Sequence, residues 1–188
     1  MLEIAVLGLL SDSPMHGYEL RKRLASLLGT FRAFSYGSLY PTLRRLAEAG
    51  WISEESPMVT PAATRSRRAK RVYRLTADGK EHFAELLADV GPDAFDDEGF
   101  GARLAFFAQT RSDIRLQILE GRRRRVEEKR EGMRAALART GKRVDRYTRV
   151  LHEHGLESVD REVRWLTELI ESERSTTERS TTIKKEEP

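Results

Sequence analysis

The feature that most constrains the fold is a regular apolar repeat in the C-terminal half of the chain. Seven residues alternate at spacings of four and three, namely Met133, Leu137, Thr140, Val144, Tyr147, Leu151 and His154. This spacing is typical of a coiled-coil seam. The spacing recurs in a shorter segment after Gly155, which predicts a long helix that turns there into a second helix. Such a hairpin is too thin to bury its own apolar residues, so the sequence predicts a homodimer. The predicted dimer interface comprises Leu119, Val126, Met133, Leu137, Val144, Tyr147, Leu151, Val159, Val163, Leu166 and Ile170.

The composition agrees with small helical units that complete their cores by pairing. Only 39% of the 188 residues are hydrophobic and 34% are charged, which is polar for a single compact globule. The chain has no cysteine, which excludes disulfides and thiolate zinc sites. The longest apolar run, Ile4–Leu10, is too short to span a bilayer, and the first residues do not resemble a secretory signal. We therefore expect a cytoplasmic protein without a membrane segment.

The N-terminal part predicts three helices, a β-hairpin and a fourth helix. Apolar stripes at helical spacing mark helices over 2–10, 18–28 and 35–50. Trp51–Ile52 and Val72–Leu75 are typical of short strands, and a further helix opens at Thr76. This order is that of a winged helix-turn-helix, a mainly α fold with a small β-hairpin wing.

Composition also predicts the domain boundaries. Gly91–Pro92 and the acidic residues after it separate an N-terminal winged helix-turn-helix domain, 1–90, from a helical dimerisation domain, 91–173. The five residues Glu173–Thr177 are repeated as Glu178–Thr182, and few side chains of residues 174–188 could be buried. We expect this tail to be disordered.

Several motifs in the N-terminal domain occur together in a known order. They are Leu7–Leu10, Pro14–Leu20, Gly37–Leu46, Gly50–Ile52 and Arg71–Gly79. With these motifs, residues 2–84 resemble the PadR family of bacterial regulators. The resemblance implies a winged helix domain, a C-terminal dimerisation helix and repression of target genes. It also implies that a dimer places two recognition helices in successive major grooves, and that Tyr18 contacts the DNA backbone.

The third helix has the side chains that a recognition helix needs. Short or planar polar groups near its N-terminus and along the next turns can reach base edges and phosphates. The candidates for DNA contact on this helix are Ser35, Tyr36, Ser38, Tyr40, Thr42, Arg44 and Arg45. The alternative is that the tyrosines pack on the hairpin and that the two arginines are only solvated.

The predicted wing tip carries an unbalanced positive charge. Arg65, Arg67, Arg68, Lys70 and Arg71 lie in a stretch, 59–74, without an acidic residue. Residues 1–88 hold 13 Lys and Arg against 9 Asp and Glu, whereas the remainder holds 21 of each. A basic wing can follow phosphates or insert arginine into a narrow minor groove.

These features predict a dimeric repressor that binds pseudo-palindromic operator DNA and responds to an unidentified small-molecule effector. Phe100, Phe106, Phe107 and Trp165 are the candidates for lining an effector pocket, with ordinary helix packing as the alternative for each. A helical adaptor that uses the winged fold for protein partners is the alternative function, although it would not need a basic wing. The sequence contains no recognisable catalytic motif, so we expect no enzyme activity, cofactor or metal site.

Overall fold

A computed structural model describes residues 1–28, 36–55, 71–140 and 145–186. The chain forms two compact units. The first unit comprises Met1–Asp89 and Asp97–Thr110, and the second comprises Val90–Asp96 and Arg111–Pro188.

The first unit combines helices with a small antiparallel sheet. Its elements are α1 (Leu2–Asp12), β1 (Met15–His16), α2 (Gly17–Leu28), α3 (Tyr36–Glu48), β2 (Ile52–Glu55), β3 (Val72–Leu75), α4 (Ala77–Ala88), α5 (Gly99–Leu104) and a 3₁₀ turn, Phe107–Gln109. The strands lie in the order β1–β3–β2, with Met15 opposite Tyr73 and Ile52 opposite Leu75. The predicted fold class, mainly α with a β-hairpin, is confirmed.

Helix α1 occupies the centre of this unit. Every residue from Ile4 to Leu10 is buried, as expected for a helix that is apolar on all sides. The apolar stripes of α2 and α3 face the same core, which contains Leu20, Leu24, Leu39, Leu43 and Leu46. The other face of α3 is thereby left to solvent.

A glycine turn sets the direction of the strand that follows α3. Gly50 has a φ of 77°, in the left-handed region that favours glycine. The Gly50 N–H donates to the carbonyl of Ala47, and the Trp51 N–H donates to that of Leu46, both at 3.0 Å. This is the Schellman pattern of helix termination, and it turns the chain directly from α3 into β2.

The segment 97–110 belongs to the first unit, although the sequence analysis assigned it to the C-terminal domain. The ring of Phe106 packs against Gly8 and meets Phe83 edge to face at 5.6 Å. The buried guanidinium of Arg103 donates to the carbonyl of Leu86 at 2.5 Å and to the carboxylate of Asp89. These contacts bury the segment in the core of the N-terminal unit.

The second unit is an antiparallel helical hairpin. It contains a 3₁₀ turn (Pro92–Ala94), α6 (Ser112–Thr140) and α7 (Arg146–Glu186). Arg115 near the start of α6 pairs with Glu173 at 2.7 Å, and Arg122 farther along pairs with Glu162 at 2.5 Å. Because partner numbers fall as α6 advances, the two helices run in opposite directions.

The hairpin turns earlier than the sequence analysis predicted. Helix α7 runs through Gly155, where a turn was expected, and α6 ends at Thr140. Asp145 caps α7, since its carboxylate accepts the N–H groups of Tyr147 and Thr148 at 2.8 and 3.1 Å. The predicted seam from Met133 to His154 is therefore divided between two helices and is not one continuous coiled-coil stripe.

The structure also continues α7 into the segment predicted to be disordered. The helix extends to Glu186, and the hydroxyls of Ser175 and Thr176 donate to carbonyls four residues earlier. The segment from 174 to 186 contains neither glycine nor proline, so no residue in it stops the helix.

Among the residues described, no helix is both long and apolar enough to span a bilayer. Over the same residues, no group of three or more His, Asp and Glu side chains could hold a metal ion.

Candidate functional site

Helix α3 presents a polar face beside the hairpin. Leu39, Leu43 and Leu46 are buried, whereas Tyr40 is 56% exposed and Arg44 is also exposed. Tyr40 and Arg44 are four residues apart, so their side chains lie one helical turn apart on the same face. Arg44 has no ion-pair partner among the residues that the structure describes. This face is available to contact a large ligand.

A groove of about 380 Å³ lies between α3 and the strands of the hairpin. Its lining combines aromatic, basic and acidic side chains, namely Tyr40, Leu43, Arg44, Ala47, Glu48, Glu54, Arg71 and Tyr73. The rings of Tyr73 and Tyr40 flank Gly17 at the start of α2, where a Cβ would lie in ordinary van der Waals contact with them, at 3.4 and 3.6 Å. Burial, reinforced by the Glu54 carboxylate, raises the pKa of Tyr73 above its ordinary value.

Acidic residues of β2 pair with Arg71, which directly precedes β3, and with Arg74 of β3. Arg71 pairs with Glu54 at 2.5 Å, and Arg74 pairs with Glu55 at 3.2 Å. Of the basic residues predicted for the wing, Arg71 therefore has an acidic partner in β2. The tip candidates Arg65, Arg67, Arg68 and Lys70 lie outside the described residues.

The remaining candidates on α2 and α3 differ in their exposure and contacts. Tyr18 is exposed at the start of α2, with the Arg21 guanidinium 5.7 Å from its ring centre. Ser38 is exposed, and Thr42 donates its hydroxyl to the Ser38 carbonyl at 2.9 Å. Ser35 and the side chain of Tyr36 lie outside the described part of the chain.

Arg45, unlike Arg44, forms an ion pair within the described part of the chain. Its guanidinium donates to Glu3 Oε2 at 2.7 Å, and His82 Nε2 lies 2.8 Å from Glu3 Oε1. Burial alone would raise the pKa of Glu3, but the bonds from Arg45 and His82 hold it below its ordinary value of 4.5. The sequence analysis missed Glu3 and His82, because nothing in a linear sequence connects positions so far apart.

The predicted dimer residues fall into two groups. Six are buried within a single chain, namely Leu119, Val126, Val159, Val163, Leu166 and Ile170. Met133 and Leu137 are half-buried, and Val144 lies outside the described residues. Tyr147 and Leu151 are 82% and 67% exposed, and the neighbouring Val150 is also exposed. Of the predicted dimer residues that the structure describes, the most exposed therefore lie at the start of α7.

The effector-pocket candidates also divide. Phe100, Phe106 and Phe107 are buried in the first unit, and Phe106 fills the core position beside Gly8. Trp165, on α7 of the second unit, is 40% exposed. For the phenylalanines, the contacts favour core packing over a ligand cavity.

Comparison with known proteins identifies similar chains. The profile of the Transcriptional regulator PadR-like family matches residues 6–85. The Negative transcriptional regulator PadR of Bacillus subtilis (strain 168) is 28% identical over 87 residues, which are 46% of this chain and 45% of that protein. The chain thus spans about half the length of this curated relative.

Two solved structures resemble the chain over more of its length. Bacillus subtilis PadR in complex with operator DNA is 20% identical, with a TM-score of 0.43, and the match covers 92% of this chain and 98% of that one. The same protein in complex with p-coumaric acid is 20% identical with the same coverage and has a TM-score of 0.41.

Proposed function

We propose that the chain belongs, through residues 6–85, to the PadR-like family of transcriptional regulators, and that it is a repressor that binds a pseudo-palindromic operator as a homodimer. Each protomer supplies one recognition helix, α3, and one wing. The curated relative from Bacillus subtilis is a negative regulator, which supports repression as the direction of control.

The observation that carries this proposal is the outward face of α3. Three leucines anchor the helix in the core and leave Tyr40 and Arg44 exposed beside the hairpin. A guanidinium in the major groove can bind guanine through two hydrogen bonds, and a phenol can reach a base edge or a phosphate. Neither Tyr40 nor Arg44 belongs to the buried core of the unit.

Dimerisation is proposed from the start of α7. Tyr147, Val150 and Leu151 expose three large apolar side chains within five residues, and a second copy would bury them. Two copies related by a twofold axis present two recognition helices, which is why a pseudo-palindromic site is expected.

Regulation and location complete the proposal. We place the protein in the cytoplasm, without catalytic activity, and controlled by a small-molecule effector of unidentified structure. Of the four aromatic candidates, Trp165 is the one that remains accessible, so it is the first residue to test for effector contact.

Protection mapping tests the proposal directly. The protein is incubated with the DNA upstream of its own coding sequence, and protected bases are mapped. We expect a footprint with two related half-sites, because a twofold dimer contacts each half equally. Absence of any protected region at micromolar protein would contradict DNA binding there.

Reversing the charge of the wing tip provides a second readout. Changing Arg65, Arg67 and Arg68 to Glu should weaken binding to all duplexes and flatten the dependence of affinity on salt. The matched control, Arg149→Glu, reverses the charge of an exposed arginine of α7 and should leave the salt dependence of binding unchanged. Equal salt slopes for wild type and the triple variant would remove the wing from the interface.

A further inference from the structure

We propose that Arg45 is a positioning residue and not a DNA contact: together with Glu3 and His82 it fixes the rotation of the recognition helix. The inference rests on the proposed function, because it assigns a role within the same DNA-binding unit. It gives two adjacent arginines of α3 different roles. Arg44 faces outward, whereas Arg45 is bound to Glu3 of α1.

The Glu3 carboxylate joins three helices. Its two oxygens each take a different donor, Arg45 of α3 at 2.7 Å and His82 of α4 at 2.8 Å. Glu3 itself is on α1, and its side chain is only 20% exposed. The Arg45 side chain is 55% exposed, so its pair with Glu3 is partly solvated, but a half-buried carboxylate with two charge-assisted bonds holds its partners more firmly than an isolated surface pair does.

The junction also reaches the base of the wing. The His82 ring stacks on Trp51, with ring centres 3.5 Å apart and planes 12° from parallel. Trp51 directly precedes β2, and its backbone N–H donates to the carbonyl of Leu46 in the last turn of α3. The contact network of Glu3 therefore includes both the recognition helix and the strand that leads to the wing.

Anchoring Arg45 determines where Arg44 points. Consecutive residues of an α-helix are separated by about 100° around its axis, so the two arginines cannot face the same partner. At a radius of roughly 6 Å, a 10° rotation of α3 moves a side chain by about 1 Å. A shift of that size misaligns a two-bond contact with a base, whereas a contact with the more uniform phosphate backbone tolerates it better.

The competing interpretation predicts the opposite effect of removing Glu3. If Arg45 bound a phosphate, Glu3 would be a competitor that holds its charge away from DNA. Glu3→Gln would then strengthen binding to every duplex. If Arg45 is a positioning residue, Glu3→Gln loosens α3 and weakens operator binding, although it removes a negative charge from a DNA-binding unit.

The test measures affinity for operator and scrambled duplexes over a range of salt concentrations. The variants are Glu3→Gln, Arg45→Ala, the double variant and the charge exchange Glu3→Arg with Arg45→Glu. Glu81→Gln is the control, since it removes an equal charge from an exposed position of α4. We expect each single variant to lower operator affinity about five- to tenfold with an unchanged salt slope, and the double variant to add nothing further.

The exchanged pair gives the decisive outcome. A neutral imidazole keeps one acceptor nitrogen, so His82 can accept from a guanidinium at position 3. We expect the exchange to restore operator affinity to within about threefold of wild type. Binding below that of Arg45→Ala, a salt slope reduced by about one in Arg45→Ala, or tighter binding by Glu3→Gln would overturn the proposal. Single variants that bind like wild type would overturn it as well. Failure of the wild-type protein to prefer operator DNA would instead refute the proposed function.

Discussion

Gly79, in the first turn of α4, lies directly against the backbone carbonyl of Trp51, with no room for a Cβ between them. A Cβ at this position would lie 2.8 Å from the carbonyl carbon of Trp51 and 2.9 Å from Leu75 Cδ1. Thr76, which caps the same helix, donates its hydroxyl to the carbonyl of Gly50 at 2.7 Å. The N-terminus of α4 is thereby docked on the bend that leads from α3 into β2.

We expect Gly79→Ala to destabilise the N-terminal unit. The added methyl meets backbone that cannot rotate away, so the free energy of unfolding should fall by about 2 kcal/mol, as for other overpacked sites. Urea denaturation followed by circular dichroism measures the change.

Gly132→Ala is the matched control. A Cβ at Gly132 has open space around it and lies within α6, so alanine should stabilise the helix by about 0.5–1 kcal/mol. Equal effects of the two substitutions would contradict the close approach at Gly79.

The helices and caps of the N-terminal unit could be predicted, because each depends on residues that are close together in the sequence. The leucine stripes of α2 and α3 and the cap at Thr76 repeat at helical spacing or follow known capping chemistry. Strand β1 was missed, because its two residues, Met15 and His16, are too few to show an alternating pattern. Only pairing with β3, nearly sixty residues later, makes them a strand.

The position of the hairpin turn and the contacts of Glu3 could not be predicted, because both depend on residues that are distant in sequence. The apolar spacing across residues 133–154 continues through the end of one helix and the start of the next, so periodicity alone could not locate the turn. The cap at Asp145 is the local signal that marks the start of α7. Contacts of Glu3 with Arg45 and His82 depend on how three helices pack, which no local spacing encodes.

Acid should selectively weaken the contacts of Glu3. Its pKa is lowered in the folded protein by the bonds from Arg45 and His82, so the stabilisation is complete above the unfolded value near 4.5 and is lost as pH falls through the lower folded value. We expect the free energy of unfolding of wild type to exceed that of Glu3→Gln above about pH 5.5, where the Glu3 carboxylate is ionised in both the folded and the unfolded chain. Below about pH 4.5 the difference should shrink toward zero. Urea titrations of both proteins between pH 7 and 3.5 measure it, and a difference independent of pH would argue against the ionised contact.

The exposed start of α7 predicts where dimerisation can be disrupted without unfolding. Leu151→Glu places a carboxylate on a surface that is already solvated in one chain, but that a partner would bury. We expect this variant to shift the light-scattering mass toward the 21.5 kDa monomer and to retain its helical circular dichroism.

Two further variants test the assignment of the interface. Leu166→Glu buries a charge inside the hairpin and should unfold it, whereas Arg149→Glu lies on the opposite side of α7 from Leu151 and should leave the dimer intact. A wild-type mass equal to that of a monomer at micromolar concentration would exclude the proposed dimer.

Sequence discrimination should depend on Arg44. Its guanidinium is exposed one helical turn from Tyr40, and a two-bond contact with guanine contributes about 1–3 kcal/mol of discrimination. We expect Arg44→Ala to lower operator affinity by roughly one to two orders of magnitude per half-site, with a far smaller loss on scrambled DNA. Tyr40→Phe, which removes only a hydroxyl, should have a smaller effect of the same kind. Competition between operator and scrambled duplexes at one salt concentration measures both variants. Equal losses on the two duplexes would make Arg44 a phosphate contact, because a contact with the backbone strengthens binding without distinguishing one base sequence from another.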